Sequence, residues 1–288
     1  MLYFLLFLSV LMETLKNVYN NIFGKNLLKT TEDSVLFQIV GGIGAMLFCL
    51  ITAGQIRIST FSMLLAVVFA AITAAANYCS LMAVATGPMS ASTLFVYMGM
   101  VIPTAFGILY YRQPVSFFQV VGCVLMIASL FLCIQLKRDS SMTVKWLIYA
   151  MGSFVMWGAV GICQQLHQES AYAHELNGFL FWSFAILTIF MFIIYIAIKK
   201  KITVPCGYRL KSKATVYVLI TGIFIGIVYK INLFLTGALP SIIFFPVVNG
   251  GVMLLSEISA ITAFKEKATV RQLVGILVGI LSVCMLGI

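Results

Sequence analysis

The chain has 288 residues, of which 62% are hydrophobic and only 9% are charged. Soluble domains carry roughly 25% charged residues, so this composition excludes a soluble globular protein and indicates a polytopic helical membrane protein. The formal net charge of +10 does not indicate nucleic-acid binding. Nearly all of the basic residues fall in short loops between apolar runs, a pattern that orients membrane proteins.

Ten apolar runs are each long enough to cross the hydrocarbon core of a bilayer, which is about 30 Å thick. In chain order they cover 2–23, 33–52, 61–84, 89–111, 115–136, 144–166, 177–198, 214–236, 240–264 and 270–287. The first run lacks a preceding basic residue and a small-residue cleavage site, so we expect it to be retained as a span. The sequence therefore predicts an all-α membrane protein with ten transmembrane helices and no soluble domain.

The basic residues are distributed very unequally between the two sides of the predicted bundle. The loops after the odd-numbered spans hold 14 of the 18 Lys and Arg residues, whereas the opposite side has Arg57 and Arg112. Because positively charged loops stay in the cytoplasm, this asymmetry predicts a multi-pass protein of the cell membrane with both termini outside. The basic loop 199–213 is also expected to contact anionic lipid.

The last pair of spans has a weaker copy upstream in the chain, at about 88–134. The matched positions, at a constant offset of 153 residues (272 − 119), are Gln119 with Gln272, Val121 with Val274, Gly122 with Gly275, Ile127 with Ile280, and Ser129 with Ser282. The repeat predicts two units of five helices, 1–138 and 139–288. Five is an odd number of crossings, so the second unit is inverted relative to the first. Inverted repeats recur in secondary transporters, which hold the substrate near the middle of the membrane.

The ten-span pattern, the hairpin FKEK followed by RQLVGILVGILSV, and its upstream counterpart YYRQPVSFFQVVG resemble the drug/metabolite transporter superfamily, and within it the EamA-like permeases. Members of that branch carry a turn with an acidic residue, a glutamine and a glycine in each half. Glu266, Gln272 and Gly275 fit this turn in the second half, whereas Gln113 replaces the acidic residue in the first. The resemblance covers essentially the whole chain and implies a ten-helix permease without specifying its substrate.

Four charged residues lie inside predicted spans, where charges cost a few kcal/mol each and are functional candidates by default. They are Glu13 and Lys16 in the first span, Lys230 in the eighth and Glu257 in the ninth. Their predicted depths allow Lys16 to pair with Glu257, and Glu13 to face Lys230 across a hydrated cavity. Glu257 lies near the cytoplasmic end and is predicted to be a gate residue or a structural partner.

Glu13 also carries a second resemblance, to the small multidrug resistance proteins, which have a membrane glutamate midway along the first span and a lysine near its end. Lys25 is a rough match for that lysine. The resemblance implies that Glu13 binds a proton or a cationic substrate. A carboxyl in a low-dielectric cavity exchanges its proton closer to neutral pH than one in water. Lys16, one turn away, departs from that pattern, favours the ionised carboxylate, and makes a zwitterionic or neutral metabolite as credible as a cation.

Polar and aromatic residues at corresponding points of the two units predict the remainder of a central substrate site. Asn17 and Asn20 share a helical face with Glu13, and an amide inside a membrane binds either a ligand or a neighbouring helix. Pro246, which precedes Asn249, predicts a kink that exposes backbone carbonyls. The predicted substrate-binding residues are Lys16, Asn17, Asn20, Asn77, Tyr97, Trp157, Gln164, Lys230 and Asn249. His167 and His174 are predicted to lie on the surface of the outer loop.

The sequence contains no P-loop and no nucleophile–base motif, so we expect neither an enzyme nor a cofactor, and the cysteine spacing predicts no metal site. The first hypothesis is a secondary transporter, expected to export a small organic metabolite or drug-like solute and to be proton-coupled through Glu13. The second is an uncoupled facilitator or exchanger of a zwitterionic or anionic metabolite, with Lys16 and Lys230 binding the anionic group. The third is a membrane receptor or assembly subunit that does not transport. The expected partners are a small solute, protons and lipid, and the chain is expected to be a monomer or a homodimer.

Overall fold

A computed structural model describes residues 1–27, 31–52, 56–133, 143–199, 212–262 and 269–287. Within these ranges the side chains at 19–27, 31–32, 198–199, 212–215 and 260 are not described. The predictions that concern Lys25, Glu266 and the side chain of Asn20 therefore lie outside the described residues, as do those for most of the basic loop 199–213.

Every regular element of the described ranges is a helix. The helices are α1 (Leu2–Leu27), α2 (Thr31–Thr52), α3 (Thr60–Thr86), α4 (Met89–Met98), α5 (Val101–Leu109), α6 (Phe117–Cys133), α7 (Val144–Gln168), α8 (Leu176–Lys199), α9 (Ser212–Ala238), α10 (Ser241–Thr262) and α11 (Val270–Leu286). A single 3₁₀ turn, Ala173–Glu175, precedes α8. The structure therefore confirms the prediction of an all-helical fold.

Within the described residues, seven helical segments are long and apolar enough to cross a membrane. They are formed by α2, α3, α4 with α5, α7, the 3₁₀ turn with α8, α9, and α10. The apolar helices α6 and α11 have 17 residues each and are shorter, while α1 carries Glu13 and Lys16 in its middle. The chain is a multi-pass membrane protein by these criteria. The count of ten spans and the inverted repeat stay predictions.

The fourth predicted span, 89–111, is broken into α4 and α5 at Gly99 and Met100. Pro103 lacks the backbone N–H that would bond to the carbonyl of Gly99 four residues earlier. The amide of Ile102 donates to that carbonyl instead, at 3.2 Å, which tightens the turn locally. The carbonyl of Pro103 in turn accepts a hydrogen bond of 2.7 Å from the side-chain amide of Gln165 on α7.

Helices α6 and α11 pack against each other through two reciprocal hydrogen bonds. The Ser129 hydroxyl donates to the carbonyl of Gly275, and the Ser282 hydroxyl donates to the carbonyl of Gly122, each at 2.7 Å. The earlier residue of α6 meets the later residue of α11 and the reverse, so the two helices run antiparallel. A Cβ atom at Gly275 would lie 2.8 Å from the backbone nitrogen of Cys133. Glycine is therefore required for this close approach.

Two large clusters of buried apolar residues fill most of the described bundle. One joins α1, α5, α6, α10 and α11 around residues such as Met126, Phe244 and Val252. The other joins α2, α3, α7, α8 and α9 around Phe69 and Phe179, whose rings lie 5.4 Å apart. A third, smaller cluster joins α3, α4 and α7. Helices α1, α4, α7, α9 and α10 contact one another and also line the central cavity described below.

Helices α2 and α9 cross at glycines that bring their backbones into contact. A Cβ atom at Gly222 would lie 2.8 Å from Cα of Gly44, closer still to the carbonyl oxygen of Gly41. In a membrane, helices associate by van der Waals packing more than by the hydrophobic effect, so small residues at the crossing set the approach.

The start of α3 is fastened to the connection between α7 and α8. The Glu175 carboxylate accepts hydrogen bonds from the Ser59 amide at 3.0 and 3.1 Å and from the Ser59 hydroxyl at 2.8 Å. Ser59 is the N-cap of α3, and its own hydroxyl accepts from the amide of Ser62. The carboxylate thus satisfies a donor at the positive end of the helix.

The prediction that His167 is a surface residue was wrong. Helix α7 continues to Gln168, so His167 belongs to a helix and not to a loop, and it is fully buried. Its imidazole ring stacks on Phe179 of α8, with ring centroids 4.1 Å apart. The physical reason is that α7 runs about two residues past the end of its apolar run, which brings the imidazole under the start of α8.

Replacing Gly222 with alanine is expected to destabilise the protein by about 1–3 kcal/mol, because the added methyl group overlaps the backbone of α2. The measurement is the midpoint of thermal unfolding in detergent. Gly41→Ala is the matched control at the same crossing, since its Cβ atom would meet the Ile225 side chain at an ordinary 3.7 Å. Equal unfolding temperatures for the two variants would contradict the described α2–α9 contact.

Candidate functional site: a central polar cavity

A cavity of about 370 Å³ lies in the middle of the bundle. Its walls come from α1, α3, α4, α5, α7, α9 and α10, together with the break between α4 and α5. It contains seven of the eleven predicted site residues, which are Glu13, Lys16, Asn17, Tyr97, Trp157, Gln164 and Asn249. The cavity is large enough for a small organic molecule and mixes apolar walls with a few polar groups, as ligand sites do.

Glu13 and Lys16 form an ion pair on the cavity wall, with 3.2 Å between Lys16 Nζ and Glu13 Oε1. The residues are three positions apart on α1, so their side chains share one face of the helix. Their side chains are 26% and 17% exposed, respectively, so most of each has left water. Lys16 thus pairs with Glu13 on its own helix rather than with Glu257, the partner that its depth had also allowed.

Asn17 follows Glu13 by four residues and lies on the same face of α1, so the polar stripe predicted there reaches the cavity at both positions. Asn232 on α9 also lines the cavity, and its Oδ1 accepts a hydrogen bond from the Ser9 hydroxyl of α1. The sequence analysis missed Asn232. It is an amide inside an apolar run, the same signal that selected the other asparagines, but the nearby Lys230 was chosen instead.

Asn249 lines the cavity from α10, which remains one continuous helix with Pro246 inside it. Its Nδ2 donates to the carbonyl of Phe245 at 3.0 Å. The side chain of Asn249 therefore bonds to the carbonyl four residues earlier on its own helix. The carbonyl that lacks its helical donor because of Pro246 is that of Ile242.

Aromatic rings form much of the rest of the wall. The indole Nε1 of Trp157 donates to the Ser80 hydroxyl at 3.0 Å, which fixes the orientation of its ring. Tyr97 and Tyr229 both lie within electrostatic range of Glu13. Tyr229 was also missed by the sequence analysis, because a tyrosine in an apolar run more often packs in a core. These rings offer flat surfaces for stacking or cation–π contact.

Three predicted site residues lie outside the cavity lining. The ammonium of Lys230 donates to the carbonyl of Thr52 at 3.3 Å, so it caps the C-terminal end of α2, where a positive charge is favourable. Glu257 accepts a hydrogen bond of 3.3 Å from the side-chain amide of Gln272 and links α10 to α11. Asn77 is partly exposed on α3. Lys230 and Asn77 do not reach the site, because their helices turn these faces away from it.

Across the described parts of the chain, no group of three His, Cys, Asp or Glu side chains is arranged to hold a metal ion. Chemically, the cavity offers one anion, one cation, several amides and aromatic rings.

The comparisons with known proteins bear on the fold alone. No family model matches the sequence, and no curated protein matches it. A crystal structure of a protein superposes on this chain with a TM-score of 0.75 at 11% sequence identity. The match covers 99% of this chain and 96% of the other, so the two share their architecture from end to end. The fold and the cavity together make this chain a helical multi-pass membrane protein with a polar cavity among its helices.

A cysteine at position 93 is expected to react with a water-soluble, membrane-impermeant methanethiosulfonate, because Thr93 lines the cavity. The experiment uses permeabilised membranes, which admit the reagent to both faces, and a variant in which the 7 native cysteines are replaced. Thr104→Cys is the matched control, since Thr104 is 4% exposed and, like Thr93, bonds to the carbonyl four residues earlier. We expect position 93 to react at least about 10-fold faster, since thiol reactivity follows exposure; similar rates would argue against a hydrated cavity.

Proposed function

We propose that this chain is a secondary transporter that moves a small organic solute through the central cavity by alternating access. The observation that carries the proposal is the Glu13–Lys16 ion pair on the wall of a cavity in the middle of a membrane bundle. Intramembrane charges are expensive and mark substrate or ion pathways. A receptor or assembly subunit has no need for a charged cavity at this depth.

The packing of the helices supports two inverted units of five helices. With α4 and α5 counted together as a fourth helix, the units are α1–α6 and α7–α11. The first helix of each unit packs against the third helix of the other, as α1 does with α9 and α7 with α3. The second helix of each unit likewise packs against the third of the other, as α2 does with α9 and α8 with α3. Reciprocal contacts of this kind are what a two-fold relationship produces.

The pair α6 and α11 gives the strongest support for inversion. These are the fifth helices of the two units, and their repeated glycines and serines exchange equivalent hydrogen bonds while the helices run antiparallel. Corresponding helices of two units in the same orientation would run parallel. The resemblance to EamA-like permeases agrees with this arrangement. Inverted units place a substrate site at the interface between them, which is where the cavity lies.

Coupling to protons at Glu13 is part of the proposal, because a carboxylate in a cavity is the one described lining group suited to carry a proton through the cycle. The groups that face it are Lys16, Tyr97 and Tyr229. Protonation of Glu13 breaks the ion pair with Lys16, so uptake of a proton and rearrangement of the cavity are linked.

A second candidate is an uncoupled facilitator or exchanger, and the same ion pair favours it. Glu13 and Lys16 carry opposite charges, so the pair is electrically neutral without a bound proton. A transporter with such a site can reopen to the other side of the membrane without moving net charge.

In proteoliposomes, we expect a pH gradient to drive uptake of a solute that stabilises the purified protein in a thermal-shift screen of amines, amino acids and nucleobases. Glu13→Gln is expected to abolish the gradient dependence, because the amide cannot exchange a proton. Glu257→Gln is the matched control, since Glu257 lies outside the cavity and its hydrogen bond from Gln272 survives in the amide. Flux that ignores the gradient in both the unaltered protein and Glu13→Gln would favour the uncoupled candidate, and the absence of any flux would refute transport.

Both termini are expected on the outer face of the cell membrane, opposite the loop 200–211. The measurement uses epitope tags at each end and a single cysteine at position 206, probed with impermeant reagents on intact cells. Tags that react on intact cells while position 206 stays protected agree with an odd number of crossings per unit. Termini on opposite faces would exclude the inverted repeat.

A further inference from the structure

We propose that the cavity selects solutes that are neutral overall but carry both an ammonium and an anionic group, and that such a solute exchanges partners with the Glu13–Lys16 ion pair. The inference deepens the proposed function, because it assumes that the cavity is the transport site. It concerns binding, so it does not depend on whether transport is coupled to protons.

The charges on the cavity wall disfavour a solute that carries a single charge. Among the described residues that line the cavity, Glu13 and Lys16 are the ones with a full charge, and they contact each other at 3.2 Å. A cationic solute that binds Glu13 displaces Lys16 and leaves the Lys16 ammonium without a partner. An anionic solute that binds Lys16 displaces Glu13 and leaves the Glu13 carboxylate without a partner. Separating a largely buried pair and leaving one charge unpaired is strongly unfavourable.

A solute with both charges avoids this penalty. Its ammonium replaces Lys16 beside Glu13, and its anionic group replaces Glu13 beside Lys16, so one ion pair becomes two and no charge is left alone. The two protein charges lie one helical turn apart on α1, which suits a solute whose own charges are separated by only a few bonds. The net charge of the cavity is zero before and after binding.

Two asparagines across from α1 provide matching polar groups. Asn232 uses its oxygen to accept from Ser9, which leaves its NH₂ group to donate to an anionic group. Asn249 uses its NH₂ group to donate to Phe245, which leaves its oxygen to accept from an ammonium. The cavity thus offers an uncharged donor and an uncharged acceptor in addition to the charged pair.

The aromatic wall accommodates the body of the solute. Among the described residues of this wall, Trp157 supplies the indole N–H, which donates to Ser80, so the ring offers an apolar face. Phe244, Phe245 and Tyr229 add further apolar surface. The predicted solute is therefore a compact dipolar molecule with both charges at one end.

The test measures binding to the purified, full-length protein in detergent by titration calorimetry. The probes are the twenty standard amino acids, and for each that binds, its methyl ester, which is a cation, and its N-acetyl derivative, which is an anion. We expect at least one amino acid to bind and both of its derivatives to bind about 100-fold more weakly, the scale of an ion pair broken on one side.

Two charge-neutralising variants give a readout that a structural role would not produce. In Lys16→Met the cavity keeps only the carboxylate, so the methyl ester is expected to bind more tightly than the parent amino acid. In Glu13→Gln it keeps only the ammonium, so the N-acetyl derivative is expected to become the tightest of the three. Glu257→Gln is the control and is expected to leave the order unchanged.

Each result decides the inference. The proposal is overturned if no amino acid binds, if an ester or N-acetyl derivative binds the unaltered protein most tightly, or if the variants do not reverse the order. Failure of the proposed function gives a different pattern. Amino-acid binding with the expected reversal but no flux in liposomes refutes transport and supports this inference. Flux of a cation without amino-acid binding supports transport and overturns this inference.

Discussion

The structure depends on how closely its helices approach, because burial of apolar side chains does not by itself hold helices together in a bilayer. Lipid tails solvate those side chains as well as neighbouring helices do. The described helices solve this with small residues and hydroxyl groups. Gly222 lets α9 touch the backbone of α2, and Ser129 and Ser282 bond across to glycine carbonyls between α6 and α11. These contacts set how closely the two pairs of helices pack.

The cavity follows from the same packing. Large aromatic side chains, those of Trp157, Tyr97 and Tyr229, lie at the centre of the bundle and line the cavity there. Polar side chains that would be costly against lipid turn toward this space. Glu13 and Lys16 satisfy each other there, and the amides of Asn232 and Asn249 are each half satisfied by protein. Hydrogen bonds within the protein orient these side chains and leave each amide with further donors or acceptors.

Much of the fold could be predicted from the sequence, because apolar length and loop charge are properties of single segments. The break at Gly99 was also readable in principle, since Pro103 removes a donor that a continuous helix needs. The end of α7 was not readable, because His167 and Gln168 look like loop residues until the packing of the imidazole ring on Phe179 is known.

The candidate site could be predicted only in part, for a different reason. Periodicity along α1 placed Glu13 and Asn17 on one face, and both line the cavity. For α9 the sequence showed polar residues without showing which face meets α1, since apolar residues surround the helix. Lys230 was therefore preferred over Asn232, although only the latter lines the cavity. A lysine side chain is also long enough to reach the end of a neighbouring helix, so depth estimates alone did not predict its partner, the carbonyl of Thr52.

The clamp of Glu175 on Ser59 has a consequence for the order in which the protein is made. The two residues are 116 positions apart, so the ribosome completes α3 long before the carboxylate that caps it exists. Until then the first turn of α3 has only the Ser59 hydroxyl, which already accepts from Ser62. The start of this helix reaches its final hydrogen bonding only when the turn between α7 and α8 has been inserted, so maturation of the first half of the chain waits for synthesis of the second.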